Sequence, residues 1–266
     1  MYHRGSFRAV MGVHRFLEQI YWALEHRLAP GAESSQNVYA RIVEAHLTPS
    51  TRWLDLGCGH QLWGDWIPVS DEVRRVGFLV GIDPDLQSLG ANDVVRHRVA
   101  GLKLPFRDGS FDLITANMVF EHLEDPVGVL RDIGRVLAPG GLCIFHTPNV
   151  RYWQSAVAQR CPQFLKDAFV SFSEKRPSKD VYPTFYRINT EACARELAER
   201  AGFRVCRITM LNTSSTASIF LLGPFVLLEL LWIRLTRRPR LRDFRTNIIA
   251  EIRTNGGPGG HSATES

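Results

Sequence analysis

Apolar positions in this chain follow two rhythms: short, nearly unbroken runs that end on glycine or an acid, and longer segments with helical spacing. Trp53-Leu54-Asp55-Leu56 runs into Gly57-Cys58-Gly59, and Phe78–Ile82 runs into Asp83. Val94–Val99, with polar residues interleaved, Asp112–Ala116 and Leu142–His146 read as three further strands. Between them Pro126–Leu137 has helical spacing, and Pro139-Gly140-Gly141 is expected to stop it. Val38–Leu47 reads as a short helix closed by Pro49, and Gln61–Ile67, rich in tryptophan, as a helix start. Thr190–Ala201 opens on a good capping residue, closes at Gly202 and leads into strand Phe203–Thr209; Asn247–Arg253 is a last strand. Strand and helix alternating at this interval predict a doubly wound, mostly parallel α/β sheet.

The flanks depart from this rhythm. Phe16, Leu17, Ile20, Tyr21, Leu24 and Leu28 fall at helical spacing, and Pro30-Gly31 ends that helix, read as packing beside the sheet against the alternative of a lid over the cofactor. Arg151–Arg187 interrupts the alternation and carries Tyr152, Trp153, Phe164, Phe169, Phe172, Tyr182, Phe185 and Tyr186, which suit an apolar or ring-bearing acceptor. The chain thus divides into N-terminal helices (1–48), a core (49–150), an aromatic insertion (151–190), the rest of the core (191–254) and a disordered tail (255–266).

A second insertion, 217–245, lies between the last two strands. Ala217–Ile233 is almost wholly apolar, too short for a membrane span of roughly 20 residues, and broken by Gly223-Pro224 and Glu229. Arg234, Arg237, Arg238, Arg240, Arg242 and Arg245, less Asp243, give 6 − 1 = +5, the net charge of all 266 residues. The basic character is therefore local, which argues against general nucleic-acid binding and for one segment meeting an anionic surface. We read 217–245 as an interfacial anchor, or membrane-dipping hairpin, on the cytoplasmic face of a membrane, against a dimer interface or a wall of the acceptor pocket. Five scattered cysteines without a Cys-x-x-Cys pair exclude a disulfide framework or structural zinc and place the chain in a reducing, cytoplasmic setting. No signal peptide is expected, because charged residues interrupt the N-terminal apolar stretch.

The candidate chemistry sits at the strand tips. Gly57 and Gly59 let the backbone turn sharply and a ligand lie against it, and parallel sheets bind ligands at the carboxyl ends of their strands. A carboxylate at Asp83, the next strand's tip, suits the vicinal hydroxyls of a ribose. The pair predicts a nucleoside-containing cofactor.

Leu54-Asp55-Leu56-Gly57-Cys58-Gly59 and Gly81-Ile82-Asp83 resemble motifs I and II of the class I S-adenosylmethionine-dependent methyltransferases. Leu104-Pro105-Phe106, Ser110–Ile114, Glu121-His122-Leu123 and Arg135–Gly141 are similar to the branch containing the ubiquinone and menaquinone methyltransferases. The resemblance implies a Rossmann-like, seven-stranded sheet ending in an antiparallel hairpin, with S-adenosylmethionine as cofactor and a small-molecule or lipid-like acceptor. It implies that Gly57, Cys58 and Gly59 lie against the methionine part, that Asp55 helps hold its amino group, and that Asp83 takes the ribose. Pro84, Leu102, Asn117 and Met118 complete the implied cofactor set, Leu102 by apolar packing on adenine, since Ala100-Gly101-Leu102 stands where relatives carry an acid. His60-Gln61 replaces a usual third glycine. An oxygen acceptor needs its proton removed, and His122 and His146 are the candidate bases, each also readable as a structural histidine. Tyr186 is the candidate on the acceptor side. The alternatives are a nicotinamide-dependent oxidoreductase, which would want glycine where Leu62 stands, and a catalytically silent membrane-bound scaffold.

Overall fold

In the computed structural model the described residues are 23–30, 33–63, 67–95, 97–100, 104–160, 182–213 and 223–255. Their elements, in chain order, are α1 (23–28), α2 (Ser35–Glu44), β1 (Arg52–Leu56), α3 (Asp71–Arg75), β2 (Phe78–Asp83), α4 (Leu86–Ala91), β3 (His97–Ala100) and β4 (Phe111–Asn117). Then follow α5 (Pro126–Val136), β5 (Leu137–Pro148), α6 (Trp153–Arg160), α7 (Glu191–Arg200), β6 (Phe203–Leu211), α8 (Gly223–Thr236) and β7 (Asn247–Thr254). The seven strands form one sheet in the order β3-β2-β1-β4-β5-β7-β6. All pairings are parallel except those of β7, which runs antiparallel to both β5 and β6.

The strands are buried on both faces, and their period of two decides which core each side chain joins. Leu54, Leu56, Val80, Ile82, Ile114, Ala116, Cys143 and Phe145 point to one side, where Leu130, Ile133 and Val136 of α5 and Ala194 and Ala198 of α7 cover them. Trp53, Leu79, Leu113, Leu142, Ile144 and Ile249 point to the other, under Tyr39 and Val43 of α2, Val73 of α3 and Leu89 of α4. Each such leucine or isoleucine taken from water contributes about 1.5–3 kcal/mol. Asp55, Thr115 and His146 share the parity of this second face, so the polar side chains near the strand tips gather under α2.

Two motif residues hold the sheet rather than a ligand. The Arg52 fork grips Asp112 at the starts of β1 and β4, with Nη2 donating to Oδ1 at 2.6 Å and Nε to Oδ2 at 3.0 Å. Arg135 donates to the Phe106 and Leu104 carbonyls and pairs with Asp108 and Asp132, so it ties the Leu-Pro-Phe loop to α5.

Three local expectations change. Residues 61–63 and 67 form no helix; Trp63 is instead buried against Trp53 with ring centroids 5.9 Å apart, and tertiary packing overrides the local spacing. Pro139-Gly140-Gly141 does not stop α5, which already ends at Val136. Leu137 turns extended and pairs with Phe111, so the three residues lie within β5, with Gly140 at φ +75°. The third strand starts at His97 rather than Val94, because Asn92 Oδ1 accepts from the Val94 and Val95 amides and holds them in a turn.

The chain packs as two compact units. One holds residues 35–150, 182–211 and 246–266, including the whole sheet; the other holds 1–34, 151–181 and 212–245. In the latter, Leu24, Leu28 and Ala29 pack on Val226, Leu230 and Ile233 of α8. Among the described residues no helix is long and apolar enough to cross a membrane. Leu102, residues 1–22, the 161–181 part of the aromatic insertion, residues 217–222 and most of the tail lie outside the described residues.

Candidate active site

The tips of β1 and β2 meet, and backbone chemistry joins them. The Gly57 and Cys58 amides donate to the Ile82 carbonyl at 2.8 and 3.2 Å, and the Gly59 amide donates to Asp83 Oδ2 at 2.8 Å. Gly57 and Gly59 both take positive φ, +69° and +47°, which residues bearing Cβ avoid. A side chain at Gly57 would run into Val119, so that glycine is fixed by the protein. At Gly59 no atom of the described residues beyond its chain neighbours lies within 4 Å of where Cβ would be, so among them that glycine faces open space. Asn92, fully buried, donates to the Cys58 and Gly59 carbonyls at 3.2 and 3.1 Å and clamps the loop from below. Nothing in the local sequence marked Asn92, since a lone asparagine after a short helix carries no signal of a contact 34 residues back.

Asp83 also accepts from the Asp85 amide at 2.8 Å, while Asp85 itself caps α4 by accepting from the Gln87 and Ser88 amides. Asp83 is therefore not the helix cap, and its carboxylate stays at the loop with lone pairs to spare. Pro84, next in the chain, is exposed. Cys58 is placed differently from the glycines. Its thiol packs against Gly81, where a Cβ would collide with the sulfur, so only its backbone faces the loop.

Below the loop, Trp53 Nε1 donates to Thr115 Oγ1 at 2.6 Å, and the Thr115 hydroxyl donates to Asp55 Oδ1. Burial raises the Asp55 carboxyl to about 7; the Thr115 bond opposes this, and the nearby Asp83 charge adds to it. Burial, and then the Asp55 charge, push the Tyr39 phenol well above its ordinary value.

The tips of β4 and β5 carry the remaining candidates. Asn117 donates to Gln36 Oε1 of α2 at 2.8 Å, and Met118 turns into the left-handed region (φ +57°) with its amide on the His146 carbonyl. His146 is fully buried, stacked on Tyr39. Its Nδ1–H donates to Asn117 Oδ1 at 2.9 Å and its Nε2 accepts from Asn247 at 3.1 Å. Burial lowers this imidazole to about 3, so it stays neutral, with both nitrogens occupied. His122 is partly exposed; its Nδ1–H donates to the Pro183 carbonyl at 2.9 Å, a tautomer that leaves the Nε2 lone pair for another partner.

Glu121 organises the segment beyond. Its carbonyl accepts from the Phe185 and Tyr186 amides at 2.7 and 3.1 Å, and Tyr186 sits there at φ +53°. Its buried carboxylate accepts from the Thr147 hydroxyl, which in turn accepts from Asn189 at 2.6 Å. Burial raises the Glu121 carboxyl and the Tyr186 phenol. The structure thus brings His122, Tyr182, Phe185 and Tyr186 together on one side of Glu121. A separate cavity of about 620 Å³, lined by Arg52, Phe78, Phe106 and Phe111, lies at the amino ends of the strands, the end opposite the loop.

A methyltransferase-domain family model matches residues 19–207. The demethylmenaquinone methyltransferase of Listeria monocytogenes serotype 4a is 27% identical over 190 residues, covering 64% of this chain and 77% of its own. That of Lactiplantibacillus plantarum is 32% identical over 111 residues, 37% of this chain and 46% of its own. Among solved structures, an S-adenosylmethionine-dependent methyltransferase from Mesorhizobium loti aligns with TM-score 0.53 and 18% identity over 83% of this chain and 98% of its own. One from Methanosarcina mazei aligns with TM-score 0.51 and 15% identity over 80% and 97%.

Proposed function

The chain belongs to the class I S-adenosylmethionine-dependent methyltransferases, an enzyme family, and on that footing we propose that it methylates a small, lipid-like acceptor met at a membrane surface. The observation that carries the cofactor assignment is the junction of Gly59 and Asp83: an open glycine and a carboxylate share one hydrogen bond at adjacent strand tips.

In this reading the Gly57–Gly59 loop lies along the methionine part through its backbone, Asp83 holds the ribose hydroxyls, and Asp55 serves the amino group. Asn117 and Met118, with Pro84, line the remainder, and the resemblance assigns Leu102 to the adenine. S-adenosylmethionine, when bound, supplies a sulfonium-activated methyl group open to in-line displacement. The protein's work is then largely positioning.

The half-exposed rings of Tyr182 and Phe185, with Tyr186 beside them, form an apolar side for the acceptor; Glu121 holds Phe185 and Tyr186 in place, and Tyr182 packs against the His122 ring. Where the acceptor is a hydroxyl, His122 takes its proton on Nε2, since Nδ1 is already committed to Pro183. His146 is removed from the catalytic set, because neither nitrogen is free and the ring is shut off from solvent. It orients Asn117 instead. The relatives named for demethylmenaquinone methylation favour an isoprenoid quinol or a similar ring-bearing lipid as acceptor.

Calorimetry with S-adenosylmethionine, S-adenosylhomocysteine and NAD tests the cofactor, with binding expected for the two thioether-derived nucleosides and none for NAD. Incubation with methyl-labelled S-adenosylmethionine and either a lipid extract or a demethylated isoprenoid quinol tests the acceptor. Label should enter the organic phase; label confined to water-soluble products would refute the lipid-like acceptor while leaving the enzyme class intact.

A further inference from the structure

Helix α8 is apolar on two sides, and among the described residues only one of them is covered. Val226, Leu230 and Ile233 are buried against Leu24, Leu28 and Ala29. On the opposite side Leu227, Leu231 and Leu235 repeat at four-residue intervals with Leu228 beside them, and all four are 43–54% exposed. A helix that needed only to pack on its own unit would carry polar residues there. The exposed row leads directly into Arg234, Arg237, Arg238 and Arg240, all exposed and none in an ion pair with the described residues.

We propose that this second face of α8, with the arginines that follow it, is a docking surface for anionic phospholipid. The helix lies in the plane of the interface, leucines among the acyl chains and guanidinium groups at the phosphates. Its 14 residues span about 21 Å at 1.5 Å per residue, short of a bilayer core of about 30 Å, so lying flat is the geometry open to it. Charge selects the occupant. An anionic surface neutralises four unpaired arginines at once, and guanidinium is suited to phosphate oxygens. A second copy would bring the same cations, with Asp243 already engaged by Arg151 and Arg242, and four leucines fall well short of the roughly 20–30 residues a side in a stable protein interface. The inference rests on the lipid-like acceptor for its purpose; the binding itself stands on α8 alone.

The test is co-sedimentation of the full chain with vesicles of phosphatidylcholine alone or mixed with phosphatidylglycerol, at low and high salt, alongside S-adenosylhomocysteine calorimetry on every variant. The chain is expected to bind the mixed vesicles, to release in high salt, and to bind pure phosphatidylcholine far more weakly. Arg237→Glu/Arg238→Glu/Arg240→Glu should weaken binding by on the order of 100-fold or more. Leu227→Gln/Leu231→Gln should weaken binding to the mixed vesicles at low salt, and both variants should keep nucleoside affinity. Equal binding to both vesicle types, or no loss in the arginine variant, overturns the proposal. So does a concentration-dependent dimer that the leucine variant dissolves without any vesicle binding. Loss of nucleoside binding in the parent chain would strike the enzyme reading and leave the docking surface standing.

Discussion

The amide of Gly59 donates to the carboxylate of Asp83 at 2.8 Å, so the acid at one strand tip fixes the glycine turn at the next. Asp83 therefore has two tasks, shaping the loop and presenting an acceptor to whatever lies on it. Asp83→Ala removes both and should weaken S-adenosylhomocysteine binding about 10- to 100-fold, the value of one or two charge-assisted hydrogen bonds. Asp83→Asn keeps an oxygen for the Gly59 amide and should fall between. Calorimetry decides: unchanged affinity in Asp83→Ala would show that the nucleoside sits elsewhere.

Gly57 poses a different constraint, because its missing side chain faces Val119 rather than open space. Gly57→Ala should cost about 1–2 kcal/mol for the left-handed backbone and about 1–3 more for the clash. Adding Val119→Ala should recover the clash but not the backbone cost. Urea denaturation of both single variants and the double variant reads the coupling directly; strict additivity would mean the loop moves aside without strain.

Two buried titrating groups beneath the loop oppose one another. His146 is held neutral, its folded value near 3 against 6.5, so its contribution is present above pH 6.5 and is lost as pH falls toward 3. Asp55 is held protonated, its folded value near 7 against 3.8, so its contribution is present below pH 3.8 and is lost as pH rises toward 7. Between about pH 4 and 6.5 each alone would tilt stability by about 1.4 kcal/mol per pH unit, in opposite directions, and together they nearly cancel. Asp55→Asn should expose the histidine slope, with stability rising with pH. His146→Gln should expose the aspartate slope, with stability falling. Urea midpoints at pH 4.5, 5.5 and 6.5 suffice, and equal slopes in both variants would refute the pairing.

The parts that could be read from the residues alone are those written in local pattern. Short, nearly unbroken apolar runs, a capping threonine at 190 and Gly202 fixed strands and α7 closely, and the Gly-Cys-Gly loop with Asp83 pointed to the strand tips. What escaped depended on contacts distant in the chain. Asn92 acts 33 and 34 residues back, Thr115 links Trp53 to Asp55, and Trp63 leaves helical spacing to stack on Trp53. His146 shows the limit well. Its place at the tip of β5 was evident, but its burial and its two partners, Asn117 and Asn247, arise only when three strands and α2 close around it.

Glu121 offers the sharpest separation of architecture from chemistry. Its carboxylate is buried, bonded to Thr147 and through it to Asn189, while its carbonyl holds the Phe185 and Tyr186 amides. Glu121→Ala leaves the buried Thr147 hydroxyl without its acceptor and should cost about 1–3 kcal/mol of stability. The carbonyl remains in this variant, but the side chain that fixes it is gone, so the 182–187 segment, with Tyr186 at positive φ, should loosen first. Amide hydrogen exchange in 182–187 should accelerate more than in β1 or β4, with S-adenosylhomocysteine affinity little changed. Glu121→Gln, which retains an acceptor for the Thr147 hydroxyl, should restore most of the protection. Uniform acceleration across the sheet would mean that Glu121 supports the whole core, and that the acceptor side is held by something else.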